Sequence, residues 1–393
     1  MEYSFLLGVA NFPIQFYCKK KADSSFLRKK YGDFLIKKGD ANKPVCKIFF
    51  IKHHSRQIQV KGKNFYLPVL PLKKNFRLFN DLLRIVLIYV LNRNNGFILH
   101  ASVLVENRLG YIFVGKEDTG KSTIRKLFPE LVCLGDDTAI IRKIRRRFFL
   151  FGSPFYQRTN RAYPNQKVLI RAVFELKKAD FNLVKLLSFP ENLKSLSSNT
   201  YIANIGKKSE EKELLLKNYS DFCLKNKTFS LYFKKDRSFW PLLEQSISEN
   251  LTRQRINKIT KLINPRVLKK LPKGIIWFPA VASWEFLKDC LVINEASWNF
   301  EFNGQRRVKR IAKFIIQPTI FSPHTELINK IKQQMGEKAD KQWITLIEKD
   351  NVFTIIDGNH LAIAAYQLGR LGKEINLRLL IGNLPQGKIC PWC

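Results

Sequence analysis

The sequence predicts a multi-domain protein of the α/β class, and three observations support this. The chain has 393 residues, which is more than one domain normally holds, so we expect two or three domains. Its residues are 45% hydrophobic and 26% charged, which excludes a disordered chain and is enough for sizeable cores. Short apolar runs bounded by Gly and Asn alternate with longer apolar stretches, a pattern typical of strands mixed with helices.

The charge balance is strongly basic. There are 69 Lys and Arg residues against 32 Asp and Glu, a net charge of +37. Such an excess is typical of proteins with an anionic partner such as nucleic acid. Here the basic residues lie in short runs along the whole chain, at 19–21, 28–30, 142–147 and 306–310. A generally lysine-rich surface therefore explains the composition, and a nucleic-acid partner is not favoured over it.

The expected location is the cytoplasm, with no membrane partner. Seven cysteines at scattered positions form no disulfide framework and favour a reducing compartment. The first residues lack the basic and small-residue features of a signal peptide. The most apolar window, residues 82–91, contains Arg84 and is about half as long as a membrane span.

The order of apolar runs predicts three domains and a linker. A β-rich N-terminal domain is expected at 1–75, a larger domain at 76–247, a polar linker at 248–272 and a C-terminal domain at 273–393. The larger domain begins with a buried helix at 76–91 and continues as strands, loops and helices. The predicted strands in it are 97–105, 110–114, 131–134, 168–176 and 229–233.

Residues 115–122 form a complete G-x-x-x-x-G-K-S phosphate loop. An apolar strand, 111–114, leads into it and a helix starting near Ser122 leaves it, which is the context that this motif requires. Lys121 is expected to reach the β and γ phosphates of ATP, and the Ser122 hydroxyl to bind Mg²⁺. The residues predicted to bind the nucleotide here are Gly115, Thr119, Gly120, Lys121, Ser122 and Thr123.

An acidic pair, Asp136 and Asp137, follows the strand at 131–134 and comes soon after Lys121 in the sequence. One carboxylate of such a pair can hold the metal while its neighbour accepts a proton from an attacking hydroxyl. The alternative is an ordinary turn before Thr138.

Together with Leu99-His100-Ala101-Ser102, the phosphate loop and the acidic pair resemble the kinase domain of the HPr kinase family. That family's fold is related to ATP-dependent phosphoenolpyruvate carboxykinase. His100 stands before the phosphate loop, and its separation from Lys121 is the one that the family has. The segments 152–155 and 168–174 are also similar to the family's compact members, so the resemblance covers about 76–247.

The resemblance implies an ATP- and Mg²⁺-dependent kinase with catalytic residues His100, Lys121, Asp136 and Asp137. His100 would lie beside the phosphates, Asp136 would be a metal ligand or the base, and Asp137 its partner. A buried structural histidine is the alternative for His100. The loop has acidic Glu117 and Asp118 where the family has small residues. The Pro-Val-Arg-Pro-Gly-Arg-Asn segment of true HPr kinases has no counterpart, so HPr itself is not the expected substrate.

In the C-terminal domain, residues 355–369 resemble the nucleotide-binding turn of the ParB/sulfiredoxin-like fold, an α+β domain. The turn is most similar to that of free serine kinases, and this implies a second nucleotide site. Leu361 stands where the family has Arg, and Asn359 where sulfiredoxin has its catalytic cysteine. A degenerate structural domain is the alternative. The residues implied to bind nucleotide here are Asp357, Gly358, Asn359 and His360.

We therefore expect a kinase that transfers phosphate from Mg-ATP to a hydroxyl acceptor, and free serine is the first candidate. Two alternatives remain: a nucleotide-gated binding protein without turnover, and a nucleic-acid-associated ParB-like protein. Arg158 and Arg161 are candidates for stabilising the transferred phosphate. Cys390 and Cys393 form a single C-x-x-C pair, which is weak evidence for a metal.

Overall fold

The computed structural model describes residues 3–37, 43–51, 58–68, 71–155, 163–203, 205, 208–248, 260–261, 263–315, 323–338, 342–350, 352–385 and 387–392. The protein is of mixed α/β class, as expected. The chain divides into two compact units. Unit 1 contains residues 1–176 and 189–228, and unit 2 contains 177–188 and 229–393. No helix among the described residues is long and apolar enough to cross a bilayer.

The first part of unit 1 is a five-stranded sheet with two helices on its inner face. Inward-facing side chains alternate with outward-facing ones along each strand, which is the pattern of a sheet buried on one side. The spatial order is β1-β2-β3-β5-β4, and the inner face packs on the helices in one apolar core. The elements are β1 (Tyr3–Val9), β2 (Phe12–Cys18), α1 (Lys21–Lys30), β3 (Cys46–Ile51), β4 (Gln59–Lys61), β5 (Asn64–Pro68) and α2 (Phe76–Asn92).

The helix α2 confirms the predicted helix at 76–91. Its buried residues recur at helical spacing and pack on the inner face of the five-stranded sheet. Ile98 and Ile140, from two further strands of unit 1, belong to the same core. The helix α2 thus packs on the N-terminal sheet and on these two further strands in one core.

The remaining strands of unit 1 pair in the order β6-β10-β11-β12-β8-β7-β9. The strand β8 runs parallel to β12 and antiparallel to β7. The elements of this part of unit 1 are β6 (Gly96–Leu99), β7 (Ala101–Glu106), β8 (Leu109–Val114), α3 (Lys121–Leu127), β9 (Val132–Gly135), β10 (Ala139–Ile144), β11 (Arg147–Phe151), β12 (Lys167–Lys178), α4 (Phe189–Ser198) and α5 (Lys208–Lys225).

The expectation of one continuous strand at 97–105 is wrong, because the chain breaks at His100. The His100 N–H donates to the carbonyl of Asn199 at 2.7 Å, and the neighbouring Leu99 forms a bridge with Thr200. These bonds take the backbone of His100 out of the sheet. The break turns β6 and β7 into separate strands with His100 at the corner between them.

Unit 2 contains a sheet with the order β14-β13-β15-β18-β16-β17 over one apolar core. The predicted strand, turn and strand at 344–356 and the following helix are confirmed. Its elements are β13 (Leu183–Leu186), β14 (Thr228–Phe233), α6 (Trp240–Ser248), α7 (Pro265–Lys270), β15 (Ile276–Ser283), α8 (Ala296–Glu301), α9 (Val308–Phe314), α10 (Pro323–Lys338), β16 (Trp343–Lys349), β17 (Val352–Asp357), α11 (Asn359–Arg370) and β18 (Asn376–Asn383).

The compact units do not begin and end at the boundaries expected from the sequence. Residues 229–247, expected in the larger domain, belong to unit 2, and so do residues 177–188. The cause is strand pairing: β13 pairs with β14 on one side and with β15 on the other. Residues 249–259 and 262 of the expected linker lie outside the described residues. Residues 265–270 of it form the helix α7, whose Val267 is buried in the core of unit 2, so this part is not a linker.

Candidate nucleotide-binding site

The phosphate loop connects β8 to α3 in unit 1, the strand, loop and helix order that the motif requires. Its two glycines have left-handed backbone angles, with φ of 157° at Gly115 and 112° at Gly120. A Cβ atom on Gly115 would lie 2.5 Å from the Thr119 hydroxyl oxygen, so only glycine fits there. Thr119 also donates its hydroxyl to the carbonyl of Lys116 at 2.8 Å. The loop is thus a tight turn closed by Thr119.

The side chain of Lys121 folds back over this loop. Its Nζ donates to the carbonyl oxygen of Gly115 at 2.6 Å and to that of Lys116 at 2.9 Å. Burial lowers the pKa of Lys121. The negative charges of Asp137, Glu117 and Asp118 act to raise this pKa but do not outweigh burial. The amine is therefore partly desolvated and lies where the loop turns.

Asp137 is bonded by two side chains from other parts of unit 1. His100 Nε2 lies 2.5 Å from Asp137 Oδ1, and the Tyr201 hydroxyl donates to Oδ2 at 3.2 Å. Burial alone would raise the pKa of Asp137. The hydrogen bonds from His100 and Tyr201, with the charges of His100 and Arg84, outweigh burial and lower this pKa. Asp137 is therefore an ionised, oriented carboxylate at neutral pH.

Asp136 has one satisfied oxygen and one orphaned oxygen. Arg125 Nη1 lies 2.8 Å from Asp136 Oδ2. The Tyr163 hydroxyl also interacts with this carboxylate: burial, and then the hydrogen bond to Asp136, raise the pKa of Tyr163. Asp136 Oδ1 is buried and lies within normal hydrogen-bond geometry of no described residue, which is costly for a carboxylate unless another group satisfies it. A divalent cation would satisfy it, so the residues present fit Mg²⁺.

No group of three or more His, Cys, Asp and Glu side chains forms a metal cluster in the described parts of the chain. Magnesium does not require one, because it is commonly held by one or two protein oxygens together with substrate phosphates and water. Asp136 and the hydroxyl of Ser122 are two oxygen ligands that this cleft offers.

The predicted catalytic residues line one cleft. Its volume is about 790 Å³, within the usual range for a small-molecule site. The cleft includes basic, acidic and apolar side chains from the loop, α3, β9 and the acidic pair. The lining residues are His100, Glu117, Asp118, Gly120, Lys121, Ser122, Arg125, Lys126, Phe128, Pro129, Leu131, Cys133, Asp136 and Asp137.

Gly115, Thr119 and Thr123 are not among the lining residues of the cleft. Gly115 is buried at the base of the loop, where its N–H donates to Asn199 Oδ1 at 3.1 Å. Thr119 closes the loop, and Thr123 lies half-buried on α3. These three residues therefore belong to the loop and the helix that form the cleft, but do not line it.

Sequence reasoning missed four residues of this site: Arg125, Tyr163, Asn199 and Tyr201. Arg125 had a local signal, since it follows Lys121 by one helical turn and so shares its face of α3. Tyr163, Asn199 and Tyr201 had none, because the groups that they bond belong to distant parts of the sequence.

The second predicted set, Asp357 to His360, lies in unit 2 where β17 meets α11. Gly358 has a φ of 84° and makes the turn. The Asp357 carboxylate accepts the N–H groups of Gly358 at 2.9 Å and Asn264 at 3.1 Å. The Asn359 side chain is buried and accepts the N–H of Ile293 at 3.1 Å. Asp357 and Asn359 are thus engaged in holding the turn.

His360 contacts a second histidine. Its Nε2 lies 2.8 Å from His324 Nδ1, and the Trp298 ring stacks on His324 with centroids 4.3 Å apart. Burial, and then the nearby His324, lower the pKa of His360 to about 4. The imidazole is therefore neutral at physiological pH.

Three other residues singled out in the sequence, Arg158, Arg161 and Cys393, lie outside the described residues. Cys390 is buried in the core of unit 2.

Compared with models of known protein families, the chain matches none. A comparison with curated protein sequences also gives no match. The assignment of function therefore depends on the chemistry of the cleft itself.

Proposed function

We propose that this protein is a kinase that transfers the γ-phosphoryl group of Mg-ATP to a hydroxyl acceptor in the cleft of unit 1. One observation carries the proposal: Lys121, Ser122 and the acidic pair, which belong to separate segments of the sequence, line the same cleft as His100. A phosphate loop without a facing carboxylate would support binding alone, whereas this cleft also offers an oriented base.

The phosphates would be held by the backbone N–H groups of the loop and by Lys121. The amine of Lys121 now bonds the carbonyls of Gly115 and Lys116, at the position where the phosphates would lie. Phosphate oxygens would replace these carbonyls as its acceptors, and a charged acceptor makes the stronger hydrogen bond.

Ser122 and Asp136 would hold the magnesium ion, with Arg125 fixing the orientation of the Asp136 carboxylate. The ion would neutralise charge on the β and γ phosphates. Arg125 and Lys126 place two further positive charges on the cleft wall, where they would favour an anionic transition state.

Asp137 would accept the proton of the acceptor hydroxyl. His100 and Tyr201 each bond one of its oxygens and so fix the plane of the carboxylate. Its lowered pKa keeps Asp137 ionised, and phosphoryl transfer depends more on positioning and charge than on a strong base.

The acceptor is a small hydroxyl compound in this proposal, and free serine is the first to test. That choice depends on the resemblance of residues 357–360 to free serine kinases. The cleft of unit 1 contributes only its size to the choice.

The test is label transfer from γ-labelled ATP with Mg²⁺ to serine and to a panel of small hydroxyl metabolites. We expect Lys121→Ala and Asp137→Asn to lower the rate by at least about 100-fold. Lys29→Ala, which removes an exposed charge on α1, is the matched control and should keep the full rate. Transfer that survives Lys121→Ala but is lost in Asp357→Ala would place the chemistry in unit 2 and contradict the proposal.

A nucleotide-gated binding protein without turnover is the second candidate. The observation that favours it is that Glu117 and Asp118 line the same cleft, where their charges would oppose phosphate binding. Saturable binding of Mg-ATP with no transfer to any acceptor, and with no hydrolysis, would support this candidate instead.

A further inference from the structure

The outer face of the five-stranded sheet carries a row of aromatic side chains. Tyr17 on β2, Phe49 on β3 and Tyr66 on β5 are direct cross-strand neighbours. The rings of Tyr17 and Phe49 stack with centroids 4.6 Å apart and planes 4° apart. The rings of Phe49 and Tyr66 stack at 5.4 Å and 21°. We call these three residues the aromatic ladder.

The ladder faces away from the core of unit 1. Its neighbours along each strand, such as Phe16, Ile48 and Phe65, point inward and are buried, whereas the ladder residues are only partly buried. Outward positions of a sheet buried on one side are usually polar. Cross-strand aromatic pairs stabilise a sheet by roughly 0.2–1 kcal/mol each. Three rings in one row on this outward face also form an aromatic surface that is available to a ligand.

A polar row containing lysines runs beside the ladder. The register places Gln15 opposite Lys47, Lys47 opposite Asn64, and Asn64 opposite Lys61. Lys47 and Lys61 are exposed, and neither forms an ion pair with any described residue. Residues 1–75 as a whole carry 16 Lys and Arg against 4 Asp and Glu. The charge beside the ladder thus favours an anionic ligand.

One end of the ladder is open. The residue opposite Tyr17 on β1 is Ser4, whose side chain is too small to cover an aromatic ring. Phe49 is the only ring that stacks on Tyr17 among the described residues. A flat aromatic group could therefore extend the stack at Tyr17, above Ser4.

From these observations we propose that the outer face of this sheet binds single-stranded nucleic acid. A base would stack on Tyr17, neighbouring bases would contact the rest of the ladder, and Lys47 and Lys61 would pair with phosphates. Stacking platforms beside positive grooves bind single strands with little sequence preference, because every base has a π face. A lipid or an acidic peptide would use the lysines but would leave the stacked rings unexplained.

The first test compares two probes of equal charge. Fluorescence anisotropy at near-physiological salt would measure binding of a short oligothymidine and of an abasic oligonucleotide of the same length. We expect the abasic probe to bind at least about 10-fold more weakly, because it cannot stack. Equal affinity for both probes would overturn the proposal, since it would show binding by charge alone.

The second test replaces aromatic side chains of the ladder with leucine, which keeps the surface of the sheet apolar there. Tyr17→Leu should weaken oligothymidine binding by roughly 5- to 100-fold. Phe49→Leu should weaken it less, because Tyr17 and Tyr66 stack on the two faces of the Phe49 ring. Both variants should leave abasic binding unchanged. Circular dichroism and the thermal midpoint would show that the Leu variants fold. Folded Leu variants with unchanged oligothymidine affinity would contradict the proposal. Oligouridine in a parallel titration distinguishes RNA from DNA as the preferred strand.

The third test addresses the lysines. Lys47→Ala and Lys61→Ala should each reduce the slope of log affinity against log salt by about 0.7. Lys29→Ala is the matched control, because α1 packs on the opposite, inner face of the sheet; its slope should equal that of the unaltered protein. An equal reduction of this slope in all three variants would mean that binding depends only on the total charge, and would contradict the proposed site.

Discussion

Asp137 shows how neighbours distant in the sequence set the chemistry of one side chain. His100 precedes it at the corner between β6 and β7, Tyr201 follows it beyond the end of α4, and both bond its carboxylate. Each bond stabilises the ionised form, so together they offset the effect of burial on the pKa. The ionised state of the proposed base thus depends on residues outside the phosphate-loop motif.

We predict that Tyr201→Phe shifts the acid limb of the pH–rate profile upward. Loss of the hydroxyl removes one hydrogen bond to the ionised carboxylate of Asp137. Such a bond is worth about 1 kcal/mol, so the pKa of Asp137 should rise. The measurement is the rate of label transfer across the acidic and neutral pH range in both proteins. An unshifted acid limb with a lower rate at all pH values would mean that Tyr201 has only a structural role.

His360 makes the stability of the protein sensitive to pH. Its pKa of about 4 in the folded state lies below the value of about 6.5 for an unfolded histidine. Between these values the unfolded state binds a proton that the folded state does not. Stability should therefore fall as the pH decreases from 6.5 towards 4, by at most about 2 kcal/mol between pH 7 and 5.

The measurement is urea unfolding at pH 7 and pH 5. In His360→Gln the group that takes up the proton is gone, so the variant should lose less stability than the unaltered protein over this interval. The same loss in both proteins would assign the pH dependence to other groups.

At the scale of an element, the packing of α11 depends on one glycine. A Cβ atom on Gly369 would lie 2.2 Å from the ring of Trp284, and the same ring packs against Tyr366 at 5.5 Å and 70°. Glycine within a helix normally costs about 0.5–1 kcal/mol relative to alanine. The close approach of Trp284 offsets that cost.

We predict that Gly369→Ala destabilises the protein by about 1–3 kcal/mol despite its better helix propensity, because the ring must move. Chemical denaturation measures this. Gly32→Ala is the matched control, since an added methyl group there meets no atom within 4 Å; it should be neutral or slightly stabilising. A stabilised Gly369→Ala variant would show that Trp284 moves aside without cost.

Elements with a local signal were predictable from the sequence. The helix α2 and the phosphate loop are examples, because apolar spacing and glycine positions fix each of them within one short segment. The strand β13 has no such signal: it is only four residues long, and its Lys185 is buried. Lys185 pairs with Glu348 at 2.8 Å, a partner on the distant strand β16, so no short window of sequence shows why a lysine is tolerated there.

The candidate site divides in the same way. The glycines, Lys121 and Ser122 belong to one contiguous motif and could be predicted together. The break at His100 and the bond from Asn199 to the loop could not, because both depend on the segment 199–201 returning to the ends of β6 and β8.

For the whole molecule, a net charge of +37 should make stability depend on salt. Like charges repel more in the folded state than in the expanded unfolded chain, and salt shortens the range of that repulsion to about 10 Å at 0.1 M. We predict that raising NaCl from about 20 to about 200 mM increases the thermal midpoint by several degrees. A midpoint that falls with salt would mean that attractive ion pairs outweigh the repulsion.

The strand β13 also has a consequence for how the chain is made. It leaves the ribosome well before β15, one of the two strands beside it in the finished sheet. Until then one edge has unpaired backbone groups, which are open to a strand of another chain. A fragment that ends at residue 247 would keep this unpaired edge, and we expect it to aggregate. Truncation at residue 247 should therefore not yield a soluble fragment that contains the phosphate loop.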